Sequence, residues 1–292
     1  MKNELMRKMP AICEALLIAF LAAPGAHAAE TPPSEGDYYL RLDYLPNRLF
    51  RFDGNFWRKV EDVQRVPITP GEDNQTMRMT YVNNTNTYVD ADGTTFNLAQ
   101  LKGSYVVIAN FLTSCQEVCP LTTASMRLIA DKIDAAGLSD TIKVLEISVD
   151  PARDTPARLA AYQSVFGASN WTLASGSEQN ITQLWDFFGV PPERMDYTQE
   201  EMATLPKDWQ TGEVSTYDVM HADIVLIIDP DSNWRWLDLG HPSGQDAQLP
   251  PKIRAYLNDE GVEHLESPDP DGWTVAGVLA ALSSLTGSEI KA

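Results

Sequence analysis

The chain has 292 residues, a 43% hydrophobic share and 22% charged residues, which suit one large or two small globular domains and exclude a fibrous or wholly disordered chain. Its 22 basic and 41 acidic residues leave a net charge of −19, a poor match for nucleic acid or an anionic membrane surface.

The first predicted element is a secretory signal. Lys2, Arg7 and Lys8 precede an apolar stretch from Ala11 to Ala23, and Ala26-His27-Ala28 fits a signal peptidase site, so cleavage after Ala28 and export are expected. The apolar run is short for a membrane span, and Glu14 and Pro24 interrupt it. Export would be to the periplasm if the source is bacterial. Of three cysteines, Cys13 leaves with this segment, so the mature chain keeps only Cys115 and Cys119. One pair in an exported chain is not a disulfide framework.

Glu30 to Asp37 reads as a flexible leader, and Tyr38 to Val66 as a small β appendage. Within it, Asp53-Gly54-Asn55 supplies a turn between the strand-like arms of Leu49 to Val60, and Phe52, Phe56 and Trp57 are expected to form a mini-core packed on the main domain, with a docking surface as the alternative. Residues 29–80 are taken as leader plus appendage and residues 81–292 as the main domain. A second hairpin spans Thr87 to Leu98 with Gly93 in its turn; Asp90 and Asp92 belong to that turn, since the later ligands of a calcium loop are missing.

Tyr105 to Phe111 (YVVIANF) is a buried-strand signal, and F-L-T-S-C-Q-E-V-C-P follows at its exit. At a spacing of four, Cys115 and Cys119 lie about one helical turn apart on one face. That geometry can close a disulfide or grip one soft metal ion. Pro120 suits the first turn of the helix that follows, whose dipole is expected to lower the thiol pKa values. That helix runs to Gly137. Lys143 to Val149 alternates as a strand, Asp154-Thr155-Pro156 caps a helix through Phe166, Trp171 to Leu173 is a short strand, and Ser177 caps another helix that Gly189 ends. Strand, helix, strand, helix argues for an α/β sheet with crossover helices.

Gly189 to Thr216 reads as a long acidic loop. Ile224 to Ile228 is a strand with His221 at its mouth, paired through a turn with Trp234 to Leu239. Pro242 to Asp271 is read as loop-rich with one short helix, Lys252 to Asn258, and Thr274 to Leu285 as a closing amphipathic helix.

Three of these pieces together, F-L-T-S-C-Q-E-V-C-P, S-V-D-P-A-R-D-T-P-A-R-L-A-A-Y (Ser148 to Tyr162) and Y-D-V-M-H followed by L-I-I-D-P, make the stretch from about Thr87 to Leu239 resemble the Sco/SenC family. These are copper-binding thioredoxin-fold proteins of cytochrome c oxidase assembly. The resemblance implies a thioredoxin-like mixed sheet flanked by helices. It also implies one copper ion, Cu(I) or Cu(II), held by Cys115, Cys119 and His221. Two thiolates suit Cu(I), and an imidazole also accommodates Cu(II). The same cysteines would form a disulfide when oxidised. Implied partners are an oxidase CuA subunit as copper acceptor and a thiol reductant protein, with no membrane span in the mature chain.

His241 and then His264 are the other candidate ligands. Met195 and Met220 offer thioethers, but methionine usually fills core gaps. Asp150 and Asp223 are candidates for orienting the ligands, with capping or turn roles equally open. The competing function is a thiol-disulfide oxidoreductase acting through Cys115 and Cys119. Against it stand the three residues between the cysteines, where thioredoxins have two, and the lack of a proline just before the His221 strand. A peroxidase ranks third, since nothing beyond the two cysteines suggests a peroxide pocket.

Overall fold

In the computed structural model, residues 86–292 other than 168, 206 and 233 are described, together with the backbone of three earlier strands. Those strands, β1 (Tyr38–Arg41), β2 (Arg48–Phe52) and β3 (Trp57–Lys59), form a separate sheet in the order β1-β2-β3. In its β2–β3 ladder Phe52 stands opposite Trp57. The signal, the leader and the aromatic mini-core of the appendage lie outside the described residues.

The main unit is built on a seven-stranded sheet of order β12-β11-β6-β7-β8-β4-β5. Its strands are β4 (Tyr88–Asp90), β5 (Thr95–Phe96), β6 (Tyr105–Phe111), β7 (Ile142–Ser148), β8 (Thr172–Gly176), β11 (Ile224–Ile228) and β12 (Trp234–Leu239). β6, β7 and β8 run parallel, joined by helices α1 (Cys119–Ala135) and α2 (Pro156–Phe166). β11 adds antiparallel to β6 and β12 antiparallel to β11. A parallel pair beside an antiparallel pair, with crossover helices, is the thioredoxin-like arrangement the motifs imply.

The sequence explains why β6, β7 and β11 lie at the centre. All but the first residue of β6 and every residue of β11 are buried. Strands covered on both faces need such continuous apolar runs. Ile108, Phe111, Leu121, Met126 and Ile147 are fully buried in the core formed by the sheet and its helices, and removing a ring such as Phe111 would cost about 3–5 kcal/mol. Helix α3 (Glu178–Phe187) starts at Ser177, whose hydroxyl accepts the Asn180 amide as expected of a cap. The closing helix α7 (Val275–Thr286) packs against α1, and the Tyr105 hydroxyl donates to Leu285 O at 2.8 Å.

One buried charge-bearing group stands out in this core. Glu146, on β7, is 0% exposed and accepts hydrogen bonds from Thr123 Oγ1 (2.8 Å) and Trp171 Nε1 (2.7 Å). Burial outweighs both bonds and pushes its carboxyl up to about 8, so it is protonated at neutral pH.

Two segments differ from the sequence reading. The stretch after Gly189 is not a plain loop: β9 (Glu193–Asp196) pairs antiparallel with β10 (Tyr217–Met220), and a short helix α4 (Gln199–Met202) with its own capping box lies between them. β9 has no buried position, so it carries no apolar periodicity to reveal it. Residues 242–271 likewise hold two helices, α5 (Pro251–Arg254) and α6 (Asp259–Glu266), rather than one over Lys252 to Asn258. Asn258 separates them because its side chain accepts the Gly261 amide at 2.8 Å, which makes it a helix cap. Among the described residues, no helix is long and apolar enough to cross a membrane.

Candidate metal centre

The cysteine loop leaves the end of β6 and turns into α1. Helix α1 begins at Cys119, and Val118 before it makes no side-chain cap bond. Cys115 therefore sits in the loop rather than one turn along a helix. Its amide donates to Leu112 O at 3.3 Å, which curls the loop back over the start of α1. Cys115 Sγ then accepts the N–H groups of Glu117 and Cys119, each at 3.4 Å. The free amides of the helix start do reach a sulfur, that of Cys115.

Cys119 behaves otherwise than the helix dipole suggests. Its side chain is 0% exposed, and burial pushes its thiol well above the ordinary value, with the neighbouring Cys115 adding to the rise. Desolvation disfavours the thiolate more strongly than the helix end favours it. Both cysteines are free thiols.

His221 reaches the same place from the end of β10. Its Nε2 lies 3.8 Å from Cys119 Sγ, although 102 residues separate them in sequence. That spacing is about what two ligands of one ion show when metal–sulfur and metal–nitrogen distances are about 2.3 and 2.0 Å. The other ring nitrogen is surrounded: Asn110 Nδ2 at 3.1 Å, Ala222 O at 3.3 Å and Asp223 Oδ1 at 3.6 Å from Nδ1. The tautomer that leaves Nε2 free for a metal carries its proton on Nδ1, and Ala222 O is the acceptor within hydrogen-bond reach, with Asp223 Oδ1 beyond it. Asn110, from β6, fixes this corner by donating to Ala222 O at 2.7 Å and accepting the Ile224 amide at 3.1 Å.

Asp223 completes a compact group with Cys119 and His221, their ligand atoms all lying within 4.8 Å of one another. Its Oδ1 is buried and has no hydrogen-bond partner. Burial raises its pKa against the opposing pull of His221, His241 and His264. An orphaned buried oxygen beside a thiol and an imidazole is what a site shaped for a cation would leave. That group of one sulfur, one nitrogen and one oxygen, with Cys115 Sγ outside it, suits a soft or borderline metal.

The remaining sequence candidates fall around this centre. His241 and His264 approach one another with ring centroids 4.5 Å apart, and His241 Nε2 lies 3.4 Å from Asp269 Oδ2. They flank Asp223 electrostatically and do not join the compact group. Asp150 accepts from the Tyr217 hydroxyl at 3.0 Å and pairs with Arg153. Met195 and Met220 are not gap-fillers, being 48% and 43% exposed.

A cleft of about 260 Å3 opens onto Cys115 and His221. Motif residues build one wall. Arg153 lies over the Tyr217 ring at 4.0 Å and donates to Tyr217 O at 2.9 Å, fastening β10 to the loop after β7. Deeper in, the Arg158 guanidinium bridges Asp208 (2.5 and 3.1 Å) and Thr113 Oγ1 (2.5 Å), and Trp209 Nε1 donates to Thr113 O at 2.7 Å. Arg158 thereby ties residues 208–209 to the residue two before Cys115. Burial opposes ionisation of Asp208, yet Arg158 holds its carboxyl down to about 2.

Sequence reasoning missed the second wall. Tyr256 Oη donates to Ser114 O at 2.9 Å, Asn258 N to Gln116 O at 3.0 Å, and Asn258 Nδ2 to Glu117 Oε1 at 2.9 Å. The segment that looks like polar filler in the sequence clamps the cysteine loop. The one available signal was Asn258 ahead of an acidic turn and Gly261, a helix start whose glycine permits close approach.

The family model for SCO1/SenC matches residues 74–258, more than half of the chain and a span that includes Asn258. The chain belongs to the SCO1/SenC family. Its relatives include a Stutzerimonas stutzeri protein with the provisional name of copper-binding protein, 27% identical over 177 residues, which cover 61% of this chain and 71% of that one. The SCO1 protein homolog of Bacillus subtilis is 32% identical over 97 residues, 32% of this chain and 49% of that one, so this match spans about half of the relative's length. Among solved structures, Arabidopsis thaliana ScoI with copper bound is 20% identical, covering 52% of this chain and 84% of that chain with a TM-score of 0.43.

Proposed function

We propose that this SCO1/SenC protein is a copper metallochaperone: Cys115, Cys119 and His221 hold one copper ion per chain and release it to the CuA subunit of a respiratory oxidase. The observation that carries this reading is the 3.8 Å approach of His221 Nε2 to Cys119 Sγ beside Cys115, from opposite ends of the motif-bearing stretch. Membership of the family and the name of the Stutzerimonas relative support copper as the metal. The two thiols suit Cu(I), and the imidazole extends the set to Cu(II).

The chain's own residues account for capture and release. Cys115 and His221 line the open cleft, while Cys119 is buried behind them. Cargo enters through Cys115, and Cys119 gives up its proton as the metal replaces it, so binding strengthens with rising pH. Asp223 sets its carboxyl 3.6 Å from His221 Nδ1, beside the ring, where it favours an incoming cation. The loading-competent form is the dithiol, which requires a thiol reductant in an oxidising compartment such as the periplasm. Cleavage after Ala28 places the chain there.

The test is anaerobic copper titration of the reduced protein against a chromophoric chelator, beside His221→Ala and Cys115→Ser. One copper per chain, weakened strongly by either substitution, is the expected result. A protein that binds no copper but exchanges disulfides readily belongs instead with thiol-disulfide oxidoreductases.

A further inference from the structure

The β9–β10 hairpin carries two methionines that the three-residue centre does not use. In its ladder Met195 stands opposite Asp218, and Met220 opposite Glu193. Opposed residues, and residues two apart along a strand, share a face. Met195, Met220, Asp218 and Glu193 therefore occupy one face of the hairpin, and Tyr217 and Val219 form the buried face. Met195 and Met220 are the large apolar side chains most exposed among the described residues, at 48% and 43%. An apolar residue left in water contributes little burial energy, so stability gives no reason for this placement. The property that sets methionine apart at such a position is its soft, polarizable thioether.

Position adds to chemistry. Met220 is bonded directly to His221 and lines the same cleft as Cys115, Glu117 and Asp218. Met195 is its diagonal neighbour across the ladder, a separation of about 7–8 Å that two flexible unbranched side chains can close on one ion. Asp218 and Glu193 on the same face add negative charge that attracts a cation.

We propose that Met195 and Met220 form a thioether site that captures Cu(I) at the mouth of the cleft and passes it inward to Cys115 and Cys119. This rests on the reading of those cysteines as the cargo site. Transfer is ligand exchange without redox change: each copper–thioether bond breaks as a copper–thiolate bond forms, the thiol proton leaves to water, and copper remains Cu(I). Neutral thioethers in water hold the ion more weakly than anionic thiolates in the protein, so the exchange runs inward.

The test uses protein labelled with 13C at the methionine methyls and titrated with Ag(I), a redox-inert soft cation. In Cys115→Ser/Cys119→Ser protein, Ag(I) is expected to shift the methyl signals of Met195 and Met220 and leave buried Met126 in place. Met195→Leu/Met220→Leu in that background should abolish the response. With the cysteines intact, the same leucine pair should slow Cu(I) loading from a chelator several-fold in stopped-flow. Methyl signals that ignore Ag(I), or loading that is as fast with leucines, would overturn the proposal. A failure of the cysteine centre itself would show separately, as loss of copper binding in the unsubstituted protein while the methionine methyls still respond to Ag(I).

Discussion

Gly261→Ala tests whether the C-terminal clamp sets the geometry of the cysteine loop. A Cβ at this position would lie 2.2 Å from Gln116 O and 3.0 Å from Glu117 Cα. Real Cβ contacts do not fall below 3.0 Å, so the loop and α6 must part by at least 0.8 Å. The obstacle is backbone and cannot swing aside as a side chain would. Overpacking of this kind costs about 1–3 kcal/mol. Parting the two segments also strains the Asn258 N–H bond to Gln116 O, about 1 kcal/mol more. Replacing glycine inside a helix returns up to about 1 kcal/mol. The net expectation is a loss of about 2 kcal/mol, read as a lower urea midpoint with an unchanged slope. The functional effect should be larger than that number suggests, because a ligand constellation tolerates displacements of only about 0.5 Å. Copper affinity by chelator competition should fall about 10–100-fold, the usual result of disturbing the groups that support metal ligands. Unchanged affinity together with an unchanged midpoint would refute the clamp. Lost stability with full affinity would show that β6 and α1 alone position the cysteines.

Asp223→Asn should weaken copper binding about 10–100-fold while leaving the fold intact by circular dichroism, because an amide removes the carboxylate that stands beside Cys119 and His221. Glu146→Gln should flatten the pH dependence of stability. The Glu146 carboxyl is raised from 4.5 to about 8 on folding, so its contribution is fully present below about 4.5 and is lost as pH rises through about 8. The variant should unfold at a higher urea concentration than the parent at pH 8.5, and a parallel decline of both proteins with pH would contradict this. Arg158→Ala should cost about 3–5 kcal/mol in urea unfolding, because it strands Asp208 and leaves Asp154 and Thr113 without their cation; a loss under 1 kcal/mol would mean that the pair contributes no more than a surface bridge. Apparent copper affinity of the unsubstituted protein should rise with pH as the raised Cys119 thiol is titrated, and a flat profile would place a thiolate there already.

Much of this protein is local physics, and local physics is written along the chain. The runs at 105–111 and 224–228 have to be central strands because nothing but a doubly covered sheet buries them. Thr155-Pro156 and Ser177 start helices through bonds to amides three residues away, and Gly93 turns a hairpin at a positive φ of 81°. The order of strands and helices implied the sheet, and the spacing of Cys115 and Cys119 implied soft-metal or disulfide chemistry. Only the tertiary structure decided the rest. His221 becomes a neighbour of Cys119 because antiparallel β11 lies beside β6, a pairing that no spacing in sequence encodes. The helix start pointed to lowered thiol pKa values, whereas Cys119 moves upward because neighbours distant in sequence bury it. The role of Tyr256 and Asn258 was hidden in a polar, loop-rich segment because two of their bonds go to the backbone of Ser114 and Gln116, and backbone partners leave no trace in side-chain pattern. Methionine usually fills core gaps, yet the register of one hairpin turns Met195 and Met220 to solvent. Propensity and periodicity act between near neighbours, while desolvation, ligand convergence and exposure depend on segments that folding brings together from far along the chain.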